Sequence, residues 1–354
     1  MEYLKLNETP VRTSRNFNIN NIKLENVEIP EIIPEFNNID IQGITSQIDI
    51  KKETINTQWA YGLNEILKKQ VMEQANQMLK LTTNCKANEH FQIGFKFDNK
   101  NSVLIDNISI IANEDTKTTI IIKYASDDDI KAFHNGAIRV SAKENSTVNI
   151  ILVNLINTKS NNFISIENVI ESNATINYTI IDFGGKHSIT NYYSNLLGEC
   201  SNNNLDAIYL GKENQIFDLN YIGELRGVKS NIDIEVQGAL KDNAKKHFKG
   251  TIDFKKGCKK ATGNENEACM LLSDKAKSIA LPMLLCSEED VEGNHSSSAG
   301  KVGEKELFYI MSRGFELKEA MKLMVRAKFN KILENITDED LKQKILEEID
   351  KKLD

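Results

Sequence analysis

Short runs that alternate apolar and polar residues fill the middle of the chain, from about residue 86 to residue 295. Three runs resemble one another and begin at Lys117, Asn145 and Asn173, and weaker copies begin at Asn203 and Asn231. Successive copies are 28, 28, 30 and 28 residues apart. A period of this size is typical of a solenoid, in which each repeat buries its apolar face only by stacking on the next repeat.

A second apolar run lies between successive copies. These runs are Gly136–Val140, Phe163–Ile166, Ile189–Tyr193, Ile216–Tyr221 and Phe248–Phe254. Because both sets are β-branched and alternate with a period of two, we predict strands, joined at corners by Asn, Asp and Gly, where stacked Asn side chains could form ladders. We therefore predict a mostly β protein with a right-handed parallel β-helix core. An immunoglobulin-like sandwich is the main alternative, although its strands need not repeat at a constant spacing.

One amphipathic helix is predicted within the first 85 residues, which are otherwise largely polar. Thr57 precedes Gln58 and could cap the start of this helix with its hydroxyl group. Apolar residues then recur at steps of three and four, as on one face of a packing helix: Trp59, Leu63, Ile66, Leu67, Val71, Met78 and Leu79. Upstream, Pro30 and Pro34 indicate extended chain.

The last part of the chain, residues 303 to 354, has helical spacing throughout. A helix over Glu304–Ser312 is predicted to end at Gly314, and a second helix runs from Leu317 to Ile332. Thr337 and Asp340 resemble a capping box before a third apolar stripe: Leu341, Ile345, Leu346, Ile349 and Leu353. These helices either cap an exposed end of the solenoid or form a docking surface for a partner. We therefore divide the chain into residues 1–85, 86–300 and 301–354.

Composition and charge exclude several classes of protein. The 44 Lys and Arg residues against 51 Asp and Glu give a net charge of −7, which argues against nucleic-acid or anionic-membrane binding held mainly by charge. No apolar run approaches the ~20 residues of a membrane span, and the N-terminus has no stretch like a signal peptide. Five cysteines are too few for a disulfide scaffold. We predict a cytoplasmic protein with reduced thiols.

Short motifs for common enzyme chemistry are incomplete or absent. Asp182-Phe183-Gly184 has no kinase catalytic loop beside it, and Gly184–Ser188 lacks the spacing of a phosphate-binding loop. No pair of cysteines has the C-x-x-C spacing that would favour a closed zinc site. A buried hydrophobic role is the usual one for a free cysteine, but Cys269, close to Glu267 at the predicted entry of a strand, is a candidate metal ligand.

His295 is the strongest candidate for chemistry. It lies in a polar stretch of small residues that we interpret as a loop between the last strand and the first C-terminal helix. At pH 7 such an imidazole is mostly neutral and keeps one nitrogen free to bind metal. The alternative is a loop histidine that hydrogen-bonds its own turn.

The region from about residue 240 to residue 335 resembles the SufB/SufD family, which assembles iron–sulfur clusters. The residues that carry the resemblance are Pro282–Leu285, Glu289–Val291, His295, Gly300 and Leu307–Gly314. The order Asp290-Val291 before His295, together with Ser312-Arg313-Gly314, is closer to the D type of the family than to the B type.

This resemblance implies a non-enzymatic scaffold subunit of a SUF complex. In the family, the B and D proteins pair through their β-helices, so we expect a SufB partner, or a homodimer in its absence. Each subunit also binds a copy of the SufC ATPase through its C-terminal helices. The matching residues here are Leu307, Phe308, Tyr309, Arg313 and Gly314. From the charge and the lack of long apolar runs, we expect no nucleic-acid partner and no association with a membrane.

The resemblance also implies a transient iron–sulfur cluster shared with the partner subunit. In the family, the cluster is thought to use a cysteine of the B protein and a histidine of the D protein, which His295 matches. Glu267 stands where the B type has its cysteine, and Cys269 is two residues away, so either side chain is a further candidate for iron. Gly293 and Asn294 replace the common Cys-Ser before the histidine. Imidazole and carboxylate bind iron more weakly than thiolate, which favours release of the cluster.

Two other functions remain open from the residues alone. A β-helix enzyme acting on polysaccharides would cut glycans with paired carboxylates in a groove, but these enzymes are mostly exported, and the helical tail has no role in that account. A structural adaptor could instead recruit the ATPase without binding metal.

Overall fold

Two nine-stranded sheets face each other and wind into a parallel β-solenoid of about eight turns. The computed structural model describes residues 3–13, 19–43, 48–51, 61–84 and 86–354. In the parallel part of the solenoid, each turn contributes one strand to each sheet, so neighbours within a sheet are two strands apart in sequence. The first strand of each sheet instead pairs antiparallel with its neighbour. The predicted mostly β fold, with a β-helix core and helical regions near both ends, is confirmed.

Apart from the antiparallel strand that begins each sheet, the strands of the two sheets alternate along the chain. The first sheet contains β3 (Ile39–Gln42), β6 (Lys86–Phe97), β8 (Lys117–Ser126), β10 (Thr147–Leu155), β12 (Thr175–Asp182), β14 (Asn202–Gly211), β16 (Asn231–Leu240), β18 (Ala261–Leu271) and β20 (Val291–Lys301). The second contains β4 (Ile48–Lys51), β5 (Gln77–Thr83), β7 (Val103–Ala112), β9 (Phe133–Ala142), β11 (Asn161–Ile170), β13 (His187–Leu196), β15 (Ile216–Leu225), β17 (Lys245–Phe254) and β19 (Lys277–Cys286). Outside them, β1 (Tyr3–Leu6) and β2 (Ile22–Glu25) form an antiparallel pair.

The register between turns corrects the repeat spacing read from the sequence. Lys117 pairs with Thr147, Thr147 with Thr175, Thr175 with Asn202, and Asn202 with Asn231, so the paired spacings are 30, 28, 27 and 29 residues. The predicted spacing is therefore right for the second step and wrong by one to three residues for the others. The corners differ in length, so a constant period cannot predict which residues pair between neighbouring turns.

Several corners use the left-handed backbone conformation, which Asn and Asp adopt more readily than other residues with a side chain. Asp115, Asn145 and Asn173 have φ near +55° to +58°, and Lys229 adopts the same conformation despite its larger side chain. Asn side chains stack between successive turns at a corner, where Asn113 donates to Asn84 at 2.7 Å, and they also form a ladder along the strands. Asn204 donates to Asn177, and Asn177 donates to Asn149, each at 2.8 Å.

The core fills the space between the two sheets. Stacked apolar residues from successive turns occupy it, including edge-to-face contacts that link Tyr178 to Tyr192, Tyr192 to Tyr221, and Tyr221 to Phe248. Buried polar side chains interrupt this core in the N-terminal half of the solenoid, where His134 of β9 contacts Asp106 of β7 at 2.6 Å. Such stacking buries one continuous apolar face, as expected of a solenoid.

The N-terminal helix is shorter than predicted. Helix α1 spans Glu65–Gln74 and begins after Asn64, whose side chain accepts a hydrogen bond from the Leu67 amide at 2.8 Å. Met78 and Leu79 lie in β5, so the helical spacing that continues into them is coincidental. The predicted cap at Thr57, with Gln58 and Trp59, lies outside the described residues.

Helix α1 packs on the outer surface of the second sheet, through the cluster Leu63, Leu67, Val71, Ile105, Phe133 and Phe163. Strands β3, β4 and β5 lie within the predicted region 1–85, yet they pair with solenoid strands β6, β5 and β7. The division of the chain into residues 1–85, 86–300 and 301–354 stays a prediction.

Three C-terminal helices follow the last strand as predicted. They are α2 (Glu304–Ser312), α3 (Leu317–Leu333) and α4 (Glu339–Leu353), and Gly314 has φ of +100° just after α2. The N-cap of α4 is Asp338 rather than Thr337, because the Asp338 side chain accepts from the Leu341 amide at 2.9 Å. No helix in the part of the chain that the structure describes is long and apolar enough to cross a membrane.

Helices α3 and α4 cover the side of the solenoid, not its end. Their apolar residues share one buried cluster with the outer surface of the first sheet: Val325, Phe329, Ile332, Leu341, Ile345, Ile151, Phe183 and Ile208. The interpretation that these helices cap the end of the solenoid is therefore wrong. Strands β19 and β20 are the outermost strands at the C-terminal end, and within the described residues each pairs with one neighbour.

Candidate functional site

His295 lies in the last strand of the first sheet, so its predicted placement in a loop is wrong. Strand β20 pairs in parallel with β18, and His295 stands directly opposite Glu265. Residues of β20 are almost all exposed because no further turn covers them. The imidazole of His295 is therefore accessible at the C-terminal end of the solenoid.

The side of β20 that carries His295 faces the interior of the solenoid. The hydroxyl group of Ser297 donates a hydrogen bond to a carboxylate oxygen of the buried Glu267 at 2.9 Å. Side chains alternate along a strand, so residues two apart share a face. His295 is thus on the same inward face as Ser297, above the last buried layer of the core.

Glu267 is fully buried and has several partners. Lys246 lies 2.7 Å from one of its oxygens, and the Tyr209 hydroxyl group donates to that same oxygen at 2.9 Å. Ser297 bonds the other oxygen. Since a cation already neutralises this carboxylate, iron could bind there only if these contacts rearranged.

Cys269 lies near the end of β18, not at the entry of a strand, and is 4% exposed. Burial raises the pKa of its thiol, although the charge of Lys246 and hydrogen bonds with Tyr209 and Ser278 act in the opposite direction. A thiol must lose its proton to bind metal, so this environment disfavours Cys269 as a ligand.

The three predicted ligands are not brought together. Cys269 stands opposite Ala299, four residues beyond the Glu265–His295 pair, which corresponds to about 13 Å along the strand. Within the described ranges, no three His, Cys, Asp or Glu side chains are grouped closely enough to hold a metal ion.

The inward-facing polar residues at this end, which we call the mouth cluster, are Tyr209, Lys246, Glu265, Glu267, Cys269, His295 and Ser297.

Glu265 is a member of the mouth cluster that the sequence reasoning missed. It is 2% exposed, and neither of its carboxylate oxygens has a hydrogen-bond partner among the described residues. Burial, and then the negative charge of Glu267, raise the pKa of Glu265 to about 8. The alternation of Gly263, Glu265, Glu267 and Cys269 was the available signal, since it places all four on one face.

The residues predicted to bind a partner lie on α2, where every residue keeps part of its surface exposed. Phe308 is 75% exposed and Tyr309 is 59% exposed, whereas Leu307 is half-buried. The guanidinium group of Arg313 lies over the Tyr309 ring, 5.2 Å from its centroid. Gly314 then turns the chain toward α3. Phe308, Tyr309 and Arg313 thus form one exposed surface on α2 and just after it.

The chain is similar to known proteins of one family. The model of the family "SUF system FeS cluster assembly, SufBD core domain" matches residues 95–328. The iron–sulfur cluster assembly protein SufD of Bacillus subtilis is 23% identical over 264 residues, which cover 74% of this chain and 60% of that protein. SufD of Escherichia coli is 22% identical over 241 residues, covering 68% and 57%.

A further relative is a SufBD family protein of Pyrococcus horikoshii, which is 30% identical over 163 residues, or 46% of this chain and 35% of that protein. The matches to these three relatives thus span 60% or less of their lengths.

Proposed function

This chain belongs to the SufBD core family of the SUF system, and from that premise we propose that it is a non-enzymatic scaffold subunit for iron–sulfur cluster assembly. The observation that carries the proposal is the accessible His295 on the unpaired last turn of the solenoid. Its relatives in two bacteria are named as SufD assembly proteins, which supports the D type. We expect the complex in the cytoplasm.

The proposed partner at this end is a SufB paralogue. Strands β19 and β20 each have one paired edge among the described residues, and an unpaired edge readily adds a strand from another chain. Pairing there would place His295 at the interface between two subunits. In the absence of SufB, we expect two copies of this chain to pair through the same edges.

His295 is suited to hold a cluster that must later leave. A neutral imidazole binds iron through one nitrogen, and it is a weaker partner for a cluster than thiolate. The cluster is the cargo of the complex and is shared with the partner's ligands in this proposal. The contacts of Glu267 and the protonated thiol of Cys269 make these two side chains weaker candidates.

Helix α2 is the proposed docking surface for the SufC ATPase. Phe308 and Tyr309 project from it, and such exposed large apolar side chains on neighbouring positions are typical of interaction sites. A polysaccharide-active enzyme is less well supported, because Glu265 and Glu267 lie buried inside the solenoid instead of in an open groove. The remaining alternative, an adaptor that recruits the ATPase without binding metal, is distinguished from the scaffold by the experiment below.

The test is reconstitution with the predicted partners. The chain is co-expressed with SufB, SufC and a sulfur donor, and the purified complex is assayed for iron, sulfide and cluster absorbance. We expect His295→Ala to lower cluster yield at least fivefold and leave complex formation intact. Asn294→Ala, on the opposite face of the same strand, is the matched control. An unchanged yield with His295→Ala favours the adaptor, and failure of the chain to capture SufB overturns the scaffold proposal.

A further inference from the structure

An unpartnered carboxyl group lies one layer inside the open end of the solenoid. Glu265 is 2% exposed, and both of its oxygens lack hydrogen bonds from the residues the structure describes. A buried carboxylate in this state is unfavourable unless it carries a proton or meets a cation. Glu267 lies two residues further along the same face of the strand. Unlike Glu265, it has partners, which are Lys246, Tyr209 and Ser297. The two carboxylates on this face therefore differ, because both oxygens of Glu267 have partners and neither oxygen of Glu265 has one.

On the opposite sheet, the residue that faces this carboxyl group is a glycine, which has no side chain to hydrogen-bond it. Gly250 of β17 faces Glu265, and a Cβ atom there would lie 2.1 to 2.4 Å from the three atoms of the carboxyl group. Toward the core, the residue in register with Glu265 is Ile234, which is apolar and fully buried. A polar partner for Glu265 must therefore come from the outer side, where the solenoid is open.

His295 occupies that outer side. It is in register with Glu265 on the adjacent strand, about 4.8 Å away along the sheet, and it faces the interior on the same side of the sheet. At this strand spacing the imidazole and the carboxylate can turn toward one ion, which would lie about 2.0 to 2.2 Å from a ring nitrogen and from a carboxylate oxygen. The exposure of β20 leaves the remaining coordination positions open to water or to a partner subunit.

We propose that Glu265 and His295 together bind one ferrous ion at the open end of the solenoid. This inference rests on the proposed function and deepens it, because it makes Glu265, rather than Glu267 or Cys269, the second iron ligand of this chain. Carboxylate and imidazole are both ligands of non-haem ferrous iron. On binding, the ion loses coordinated water, and any proton on the carboxyl group passes to solvent.

The test measures ferrous iron binding to the purified full-length chain without its partners. Equilibrium dialysis under anaerobic conditions is expected to give one bound Fe²⁺ per chain. Glu265→Gln and His295→Gln should each weaken binding at least tenfold. Glu292→Gln is the matched control, because it removes a carboxylate from the exposed outer face of the same strand as His295. Thermal unfolding verifies that each variant is folded.

A second probe identifies the ligands without relying on affinity alone. With Co²⁺ in place of Fe²⁺, the visible absorption of the bound ion should change in Glu265→Asp, because the shorter side chain withdraws the carboxylate from the ion. Iron binding that is unchanged in Glu265→Gln, or absent in the wild-type chain, overturns the inference. If the chain still pairs with SufB and supports cluster assembly in that case, the proposed function survives; if it captures no SufB, the proposed function fails separately.

Discussion

Lys246 and Glu267 form an ion pair 2.7 Å long inside the solenoid, with neither side chain exposed to solvent. The two residues come from opposite sheets, β17 and β18, so the pair joins the walls of the solenoid in the last buried turn. Tyr209 and Ser297 complete the hydrogen bonding of the carboxylate. A buried pair of this kind is destabilising when it loses one partner, because the remaining charge stays buried and unpaired.

We therefore predict that Lys246→Met lowers the free energy of unfolding by about 3 to 5 kcal/mol. Adding Glu267→Gln should recover at least half of that loss, because a neutral amide can still accept from Tyr209 without leaving a charge. The measurement is chemical denaturation of both variants and the wild type. A loss below about 1 kcal/mol in Lys246→Met would mean that water reaches and solvates the carboxylate.

Gly238 has no side chain, and the ring of Tyr209, a member of the mouth cluster, occupies the space beside it. A Cβ atom at Gly238 would lie 1.8 to 2.3 Å from atoms of the Tyr209 ring, which is fully buried. We expect Gly238→Ala to destabilise the protein by about 1 to 3 kcal/mol, because the ring cannot move without displacing its neighbours. Thermal unfolding is the measurement. Gly300→Ala, where a Cβ atom would meet no atom within 4 Å, should leave the midpoint unchanged.

The fold was predictable because the repeating pattern is local. Each strand of a solenoid makes its apolar contacts with equivalent positions of the next turn, so alternation and period appear directly in the sequence. The register was less predictable, because the corners vary in length: Lys117 pairs with Thr147 at a spacing of 30, whereas Thr175 pairs with Asn202 at 27. The number of residues in each corner depends on the turn between two strands, and the apolar alternation of the strands gives no information about it.

The candidate site was only partly predictable. His295 was found through the family resemblance, but its strand was missed because β20 is exposed on both faces and shows no apolar alternation. Lys246 and Glu265 were missed for the opposite reason: charged residues usually lie at the surface, and these two are buried. Alternation along β18 places Glu265 on one face with Glu267, but only the pairing of β17 and β18 with neighbours distant in sequence makes the faces that carry these residues the buried ones.

Lys352 is expected to make stability depend on pH. Its ammonium group donates to Gln215 at 2.7 Å, and burial lowers its pKa from 10.5 to about 7. The charged groups that act on it are Lys212, Asp182, Glu348 and Glu213. Between these two pKa values the unfolded chain binds more protons than the folded one, so stability rises from pH 7 to pH 10.5, by at most about 1.4 kcal/mol per pH unit.

Lys352→Met should remove this dependence and raise the thermal midpoint most at pH 7 and below, where the wild type must bury a charge. The measurement is thermal unfolding from pH 6 to pH 10. Lys351→Met is the control, because Lys351 is exposed and pairs at 3.5 Å with Asp128. If the pH dependence of stability persists in Lys352→Met but disappears in Lys351→Met, Lys351 rather than Lys352 is the titrating group and the prediction is wrong.

Phe308 provides the sharpest test of the proposed SufC docking surface. Removing residues 307 to 354 should abolish capture of SufC, but it would also strip Val325 and Phe329 from the cluster that covers the first sheet. Phe308 is 75% exposed, so Phe308→Ser should change stability by no more than about 0.5 kcal/mol.

If α2 is the docking surface, Phe308→Ser should lower the recovery of SufC in a pull-down at least tenfold, since large aromatic side chains contribute most of the binding energy at interfaces. Glu306→Gln, a polar change on the same helix, should leave recovery unchanged. The thermal midpoint of each variant separates loss of binding from loss of folding. Full capture by a folded Phe308→Ser variant would place the docking surface elsewhere on the chain, because the exposed ring would then contribute nothing to the contact.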